Sequence, residues 1–148
     1  MADNKLGVDE ITACEIADKL VPAKAALLGY NITFGCKTFD LDYLCKLHDF
    51  LFGDVYYDAG RVSDRYDPAN YKEIETRVNH LYALICDKAN VDEIRDAMFD
   101  LIDMQIFEDG NNRTVHLFIK LIIDTWAISD EKYYSELSEL LATYRRGL

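Results

Sequence analysis

The segment Val115 to Trp126 is apolar on nearly every side. If it is helical, it must be packed all round, which places it at the centre of the fold. It is reached through ten residues, Gln105-Ile106-Phe107-Glu108-Asp109-Gly110-Asn111-Asn112-Arg113-Thr114, in which nothing after Phe107 is apolar. A polar loop opening onto a helix N-terminus presents free backbone N–H groups and a positive dipole end, which suits a phosphate. Arg113 would add a forked cation, and Asp109 could hold a divalent metal bridging phosphate oxygens. A plain helix–turn–helix connection, with Gly110 and Asn111 making the turn, accounts for the same residues. Local chemistry alone leaves these two readings level.

The rest of the chain carries helical periodicity. Asp9 to Leu28 places Ile11, Cys14, Ala17, Leu20 and Val21 on one stripe, with Asp9 or Asp3 as the cap and Pro22 expected to kink or divide the helix. Residues 29–37 read as a linker. Thr38-Phe39-Asp40 opens a helix with Leu41, Leu44, Leu47, His48, Leu51 and Phe52 at helical spacing, stopped at Gly53. Residues 54–70 are irregular. Tyr71, Ile74, Val78, Leu81, Tyr82 and Ile85 mark the next helix. Val91, Ile94, Met98, Leu101 and Ile102 mark another, with Gln105 expected on the same inward face as Leu101. Asp130 caps a last helix with Tyr133, Leu137, Leu140, Leu141 and Tyr144 inward. No sustained alternation of apolar and polar residues occurs, so the expected class is all-α, with no sheet of consequence.

At 148 residues with two prolines, the chain suits one domain, 1–148, with a core of its own. A formal charge of −11 argues against nucleic acid as a partner, because phosphate neutralisation needs clustered Lys and Arg. No apolar run reaches membrane-spanning length, so no membrane association is expected. Cys14, Cys36, Cys45 and Cys86 form no C-x-x-C pair and no zinc-spaced cluster. They are expected to be small buried hydrophobes. Free thiols and the lack of a signal pattern at Met1-Ala2-Asp3-Asn4-Lys5 point to the cytoplasm.

Two stretches together resemble the Fic (Fido-domain) family. Its signature is His-Pro-Phe, any residue, Asp or Glu, Gly-Asn, any residue, Arg; the matching residues run from Gln105 to Arg113. An apolar-His-x-x-Leu-Phe-x-Asp-Val-Tyr-x-Trp-Ala-Gly stretch is matched by Leu47 to Gly60, and Asn4-Lys5-Leu6-Gly7-Val8 is similar to the family's opening segment. The resemblance implies a single helical domain of about six to eight helices that uses ATP and Mg²⁺ to place AMP on a hydroxyl of a target protein. By that resemblance Asp109 holds the metal, and Gly110, Asn111 and Asn112 form the anion-binding turn. Arg113 clamps phosphate, and Phe107 anchors the loop on the core.

The departures are as informative as the matches. Gln105 stands where the family carries its catalytic histidine, and Ile106 replaces the proline. A neutral amide has no usable basicity near pH 7, and losing a positioned base forfeits a factor of roughly 10² to 10⁴. His116 stands near the place of a second phosphate-binding arginine; a charged imidazole could pair with phosphate, and a partly buried helix histidine is the plainer reading. After Gly60 only Arg61 to Asp67 remain where the family has a β-hairpin flap that docks the target by strand pairing, so the flap is expected to be reduced or absent. Asp58 replaces the family's tryptophan. Ser135 and Glu139 have part of the spacing of the family's inhibitory helix, without its final Gly or Asn, and read as surface polars. His48 reads as a satisfied structural histidine.

These residues leave three readings. The first is a degenerate Fic domain that keeps a nucleotide loop and transfers weakly or not at all. The second is a transferase of altered chemistry, with Glu108 the nearest substitute base. The third is a non-enzymatic regulatory partner of another protein.

Overall fold

The computed structural model describes residues 3–28 and 33–144; part of the expected 29–37 linker lies outside them. Among the described residues the chain forms six α-helices and no strand: α1 (Glu10–Leu27), α2 (Leu41–Phe52), α3 (Tyr71–Cys86), α4 (Val91–Asp103), α5 (Asn111–Trp126) and α6 (Glu131–Tyr144). A short 3₁₀ turn, Pro68–Asn70, leads directly into α3. The starts follow local chemistry. Asp9, Asp40 and Asn90 each accept from a backbone N–H of the first turn of α1, α2 and α4, and Asp130 does so for α6.

Helix α5 is the hub, packing against α2, α3, α4 and α6. Val115, Phe118, Ile119, Leu121, Ile122 and Ile123 are all buried, as the all-round apolar pattern requires. Tyr43 and Phe39 close an aromatic cluster on Phe118. The helix begins at Asn111, four residues before the apolar run, so Asn112, Arg113 and Thr114 belong to its first turn rather than to a loop. At its other end Trp126 is half-exposed and meets Tyr82 edge-on.

Four sequence expectations need correction. Pro22 does not divide α1, which runs unbroken to Leu27. The missing donor leaves the Asp18 carbonyl without its helical partner, and packing carries the helix past it. The inward stripe of α1 is Ala13, Ala17 and Val21, whereas Ile11 and Cys14 are exposed. Small residues at i, i+4 and i+8 let α1 lie close to α2, and that contact decides which face turns in. The cysteines are free but not core residues: Cys14 and Cys86 are exposed, Cys36 and Cys45 half-buried. Gln105 is not on the inward face of α4. The helix ends at Asp103, and Gln105 adopts a left-handed conformation (φ 49°) that turns it outward.

The N-terminal segment is tied down by Asn4. Its side chain accepts from the Leu6 and Val8 amides and donates to the Val8 carbonyl, while the Lys5 amide reaches Val55 O at 2.8 Å.

Candidate active site

The α4–α5 connection is seven residues, Met104 to Gly110, and its shape is over-determined. The Asn111 side chain closes it: Oδ1 accepts from the Phe107 amide at 2.9 Å and Nδ2 donates to the Phe107 carbonyl at 2.8 Å. Asn111 therefore acts as a peptide-like bridge across the loop, and its amide is spent on the loop's shape. Thr114 Oγ1 donates to the Gly110 carbonyl at 2.7 Å. Gly110 sits at φ 76°, and a Cβ there would lie 2.5 Å from the Phe52 ring. No side chain caps the first turn of α5, so its N–H groups face outward with the positive end of the helix dipole.

His48 pins the loop to α2. Its imidazole stacks on Phe107 with centroids 4.0 Å apart, its Nε2 lies 2.8 Å from the Asp109 carbonyl, and its Nδ1 accepts from the Gly60 amide at 2.9 Å. Accepting at Nδ1 fixes the neutral tautomer with its proton on Nε2, which donates to Asp109. Burial holds its pKa below the usual 6.5, against smaller opposing effects from the Asp109 bond and from Asp58 and Asp49. The folded state thus binds the proton less readily than the unfolded chain. Its contribution to stability is complete above pH 6.5 and is lost as the pH falls below 6.5 toward the folded value. An NMR titration of the His48 ring is expected to show a midpoint below 6.5, accompanied by loosening of the 105–111 amides on the acid side. A midpoint at or above 6.5 would contradict the Gly60–His48–Asp109 chain.

The resulting groove, of about 1320 Å³, is lined by Gln105, Glu108, Asp109, Gly110, Asn111, Asn112, Arg113 and His116, and continues between α1, α5 and α6. Of the residues singled out in the sequence, Gln105, Asp109, Gly110, Asn111, Asn112, Arg113 and His116 lie together on this groove, whereas Phe107 is buried and does not line it. Arg113 lies over the Phe52 ring at 5.1 Å, and its Nη1 donates to Asp18 Oδ1 at 2.9 Å. The forked cation is therefore held by a carboxylate of α1, a partner 95 residues away that no local pattern signals. The Asp109 carboxyl is raised above its usual range, chiefly by burial and then by the carboxylates of Asp58, Glu10 and Glu108, with Arg113 opposing. A cation beside Asp109 would relieve that crowding. Among the described residues no cluster of three or more metal-ligating side chains exists, so a Mg²⁺ ion here would draw most of its ligands from a nucleotide and water, its usual habit. His116 is buried, with Nδ1 3.0 Å from the Asn112 carbonyl, one helical turn back.

The short segment after Gly60 is fastened to the loop instead of forming a hairpin. The Ser63 amide donates to the Ile106 carbonyl at 2.6 Å, Ser63 Oγ donates to Glu108, and Tyr66 Oη donates to the Met104 carbonyl. Arg65 Nη1 reaches Gln105 Oε1 at 2.6 Å, and its Nη2 lies 3.6 Å from Glu108 Oε2. Glu108, the nearest substitute base by sequence, is thus engaged on both carboxylate oxygens.

Residues 38–123, more than half of the chain, match the profile of the Fic/DOC family. The chain belongs to that family. It is 32% identical over 112 residues to the protein adenylyltransferase VbhT of Bartonella schoenbuchensis, spanning 65% of this chain but only 22% of that much longer protein. The fold is similar to BepC, a VirB-translocated effector of Bartonella tribocorum solved with bound AMPPNP. That match has a TM-score of 0.61 and 16% identity, and covers 93% of this chain and 90% of the other. The N-terminal Fic domain of a Bep effector from Bartonella quintana gives a TM-score of 0.57 at 15% identity, covering 95% of this chain and 86% of that one. At such identities these structures establish the shared helical fold alone. Among the described residues no helix is long and apolar enough to cross a membrane.

Proposed function

We propose that this chain is a Fic domain that binds a nucleoside triphosphate, ATP with Mg²⁺, through the α5 N-terminus and transfers its AMP group weakly or not at all. One observation carries the reading: the first turn of α5 has no side-chain cap, while Gln105 stands at the position of the signature's histidine. The protein relative is named an adenylyltransferase, and a structural relative holds AMPPNP, a triphosphate analogue; both support ATP as the ligand. Asp109 would supply the protein's carboxylate to the metal, and the backbone amides and Arg113 would receive the phosphates. Of the two carboxylates at the groove's head, Asp109 is given to the metal in this reading. Glu108 is bound by Ser63 and Arg65, which disfavours the altered-transferase alternative. The absence of a strand after Gly60 removes the family's means of docking a target segment, which also favours a regulatory over a catalytic role among cytoplasmic proteins.

Calorimetric titration with ATP and Mg²⁺ tests the binding half of this reading. The parent protein is expected to bind, and Arg113→Ala to weaken binding about tenfold or more, because charge-assisted hydrogen bonds to phosphate are lost. Asp18→Asn is expected to tighten binding several-fold, because Asp18 competes with phosphate for the same guanidinium. Absence of binding by the parent would leave the non-enzymatic partner as the surviving reading.

A further inference from the structure

Gln105 is not an inert replacement. It sits at the junction of α4 and the anion loop in a left-handed conformation that non-glycine residues rarely adopt, and it lines the groove. Arg65 grips it twice, with Nη1 2.6 Å from the side-chain Oε1 and 3.2 Å from its own carbonyl oxygen. A guanidinium has only donors, so the amide atom facing Arg65 must be the oxygen. That settles the orientation of the amide by chemistry. Gln105 lines the groove and Arg65 does not; with the oxygen committed to Arg65, the NH₂ group is the end of the amide left to bond a ligand there. Among the described residues this NH₂ donates to no protein group. The strained backbone, the doubled contact and the fixed amide together describe a donor held ready beside a cluster of outward-facing backbone N–H groups.

We propose that Gln105 is a ligand-binding donor whose Nε2 gives a hydrogen bond to a phosphate oxygen of the nucleotide, and that Arg65 is the positioning residue that aims it. The inference rests on the nucleotide reading above and deepens it. The position that in the family's signature accepts a proton here gives a hydrogen bond, so the same substitution that removes a base adds a contact holding the phosphates. The segment between Gly60 and α3, in place of a docking flap, serves to carry Arg65 to the loop.

The experiment is calorimetric titration of the whole chain with ATP and Mg²⁺, on the parent, Gln105→Ala, Gln105→Glu, Arg65→Met and the Gln105→Ala/Arg65→Met double variant. Thermal midpoints are recorded for each. Gln105→Ala is expected to raise Kd about tenfold, the usual loss for a hydrogen bond to a charged group. Gln105→Glu is the decisive variant. Its carboxylate keeps the Arg65 contact as an ion pair, so its thermal midpoint should equal or exceed the parent's, yet it presents oxygen instead of N–H to the phosphates. Binding should therefore fall further than in Gln105→Ala. Arg65→Met should weaken binding in the parent and have little effect in the Gln105→Ala background, because aiming a donor that is absent changes nothing. Parental affinity in Gln105→Glu would overturn the donor role, while leaving the nucleotide reading standing. Equal effects of Arg65→Met in both backgrounds would overturn its positioning role. No binding by the parent would overturn the nucleotide reading, and this inference with it.

Discussion

Gly110→Ala is expected to destabilise the protein by about 2–5 kcal/mol and to lower the urea midpoint without changing the slope. Two independent penalties add. A left-handed residue bearing a Cβ costs roughly 1–2 kcal/mol. Forcing a methyl group to within 2.5 Å of Phe52 ring carbons requires that ring to move, and overpacking of this kind costs roughly 1–3 kcal/mol. Phe52 is buried and also lies beneath Arg113 and beside His48, so its displacement reaches both the clamp and the pin. Nucleotide binding should fall along with stability. A variant with the parent's urea midpoint would mean that Phe52 does not underlie the α5 N-terminus.

Phe107→Ala is expected to be the most damaging single truncation in the loop, at about 3–5 kcal/mol, the usual range for deleting a buried phenyl group. Phe107 is 1% exposed and supplies the face against which His48 stacks. Its backbone bonds to Asn111 survive the substitution, so the loop keeps its local closure and loses its anchorage to α2. The expected signature is a lowered denaturation midpoint together with accelerated hydrogen exchange at the amides of residues 105–111. Exchange confined to the core and absent from the loop would show that the anchor role is misplaced.

The helices were legible because they rest on local signals. Asp9, Asp40 and Asp130 cap where their chemistry says they should, and the apolar run of α5 lies at the centre as its composition demands. The polar turn before α5 was legible for the same reason, with the start of the helix misjudged by four residues, because Asn112 and Arg113 are polar first-turn residues rather than loop residues. The face of α1 was not legible. Leucine- and isoleucine-weighted periodicity favours Ile11 and Cys14, while close approach to α2 selects the alanines. The partners of the site's charges were hidden altogether. Asp18 and Arg113 are joined across 95 positions, Arg65 and Gln105 across 40, Ser63 and Glu108 across 45. Such pairs are made by tertiary packing, and the period of a single sequence carries no trace of them. His48 was rightly read as structural, but its reach to both Gly60 and Asp109 became visible only in three dimensions.

The central claim, a phosphate cradle without a base, is tested most directly by incubating the protein with Mg²⁺ and α-labelled ATP, with and without cell extract, and measuring label transferred to protein. The parent is expected to transfer no more than background while bound nucleotide is recovered as intact ATP. Gln105→His is expected to stay far below robust transfer, because the segment after Gly60 still offers no strand to a target. Robust labelling by the parent chain would contradict the account outright, since it would require a proton acceptor to serve in place of Gln105.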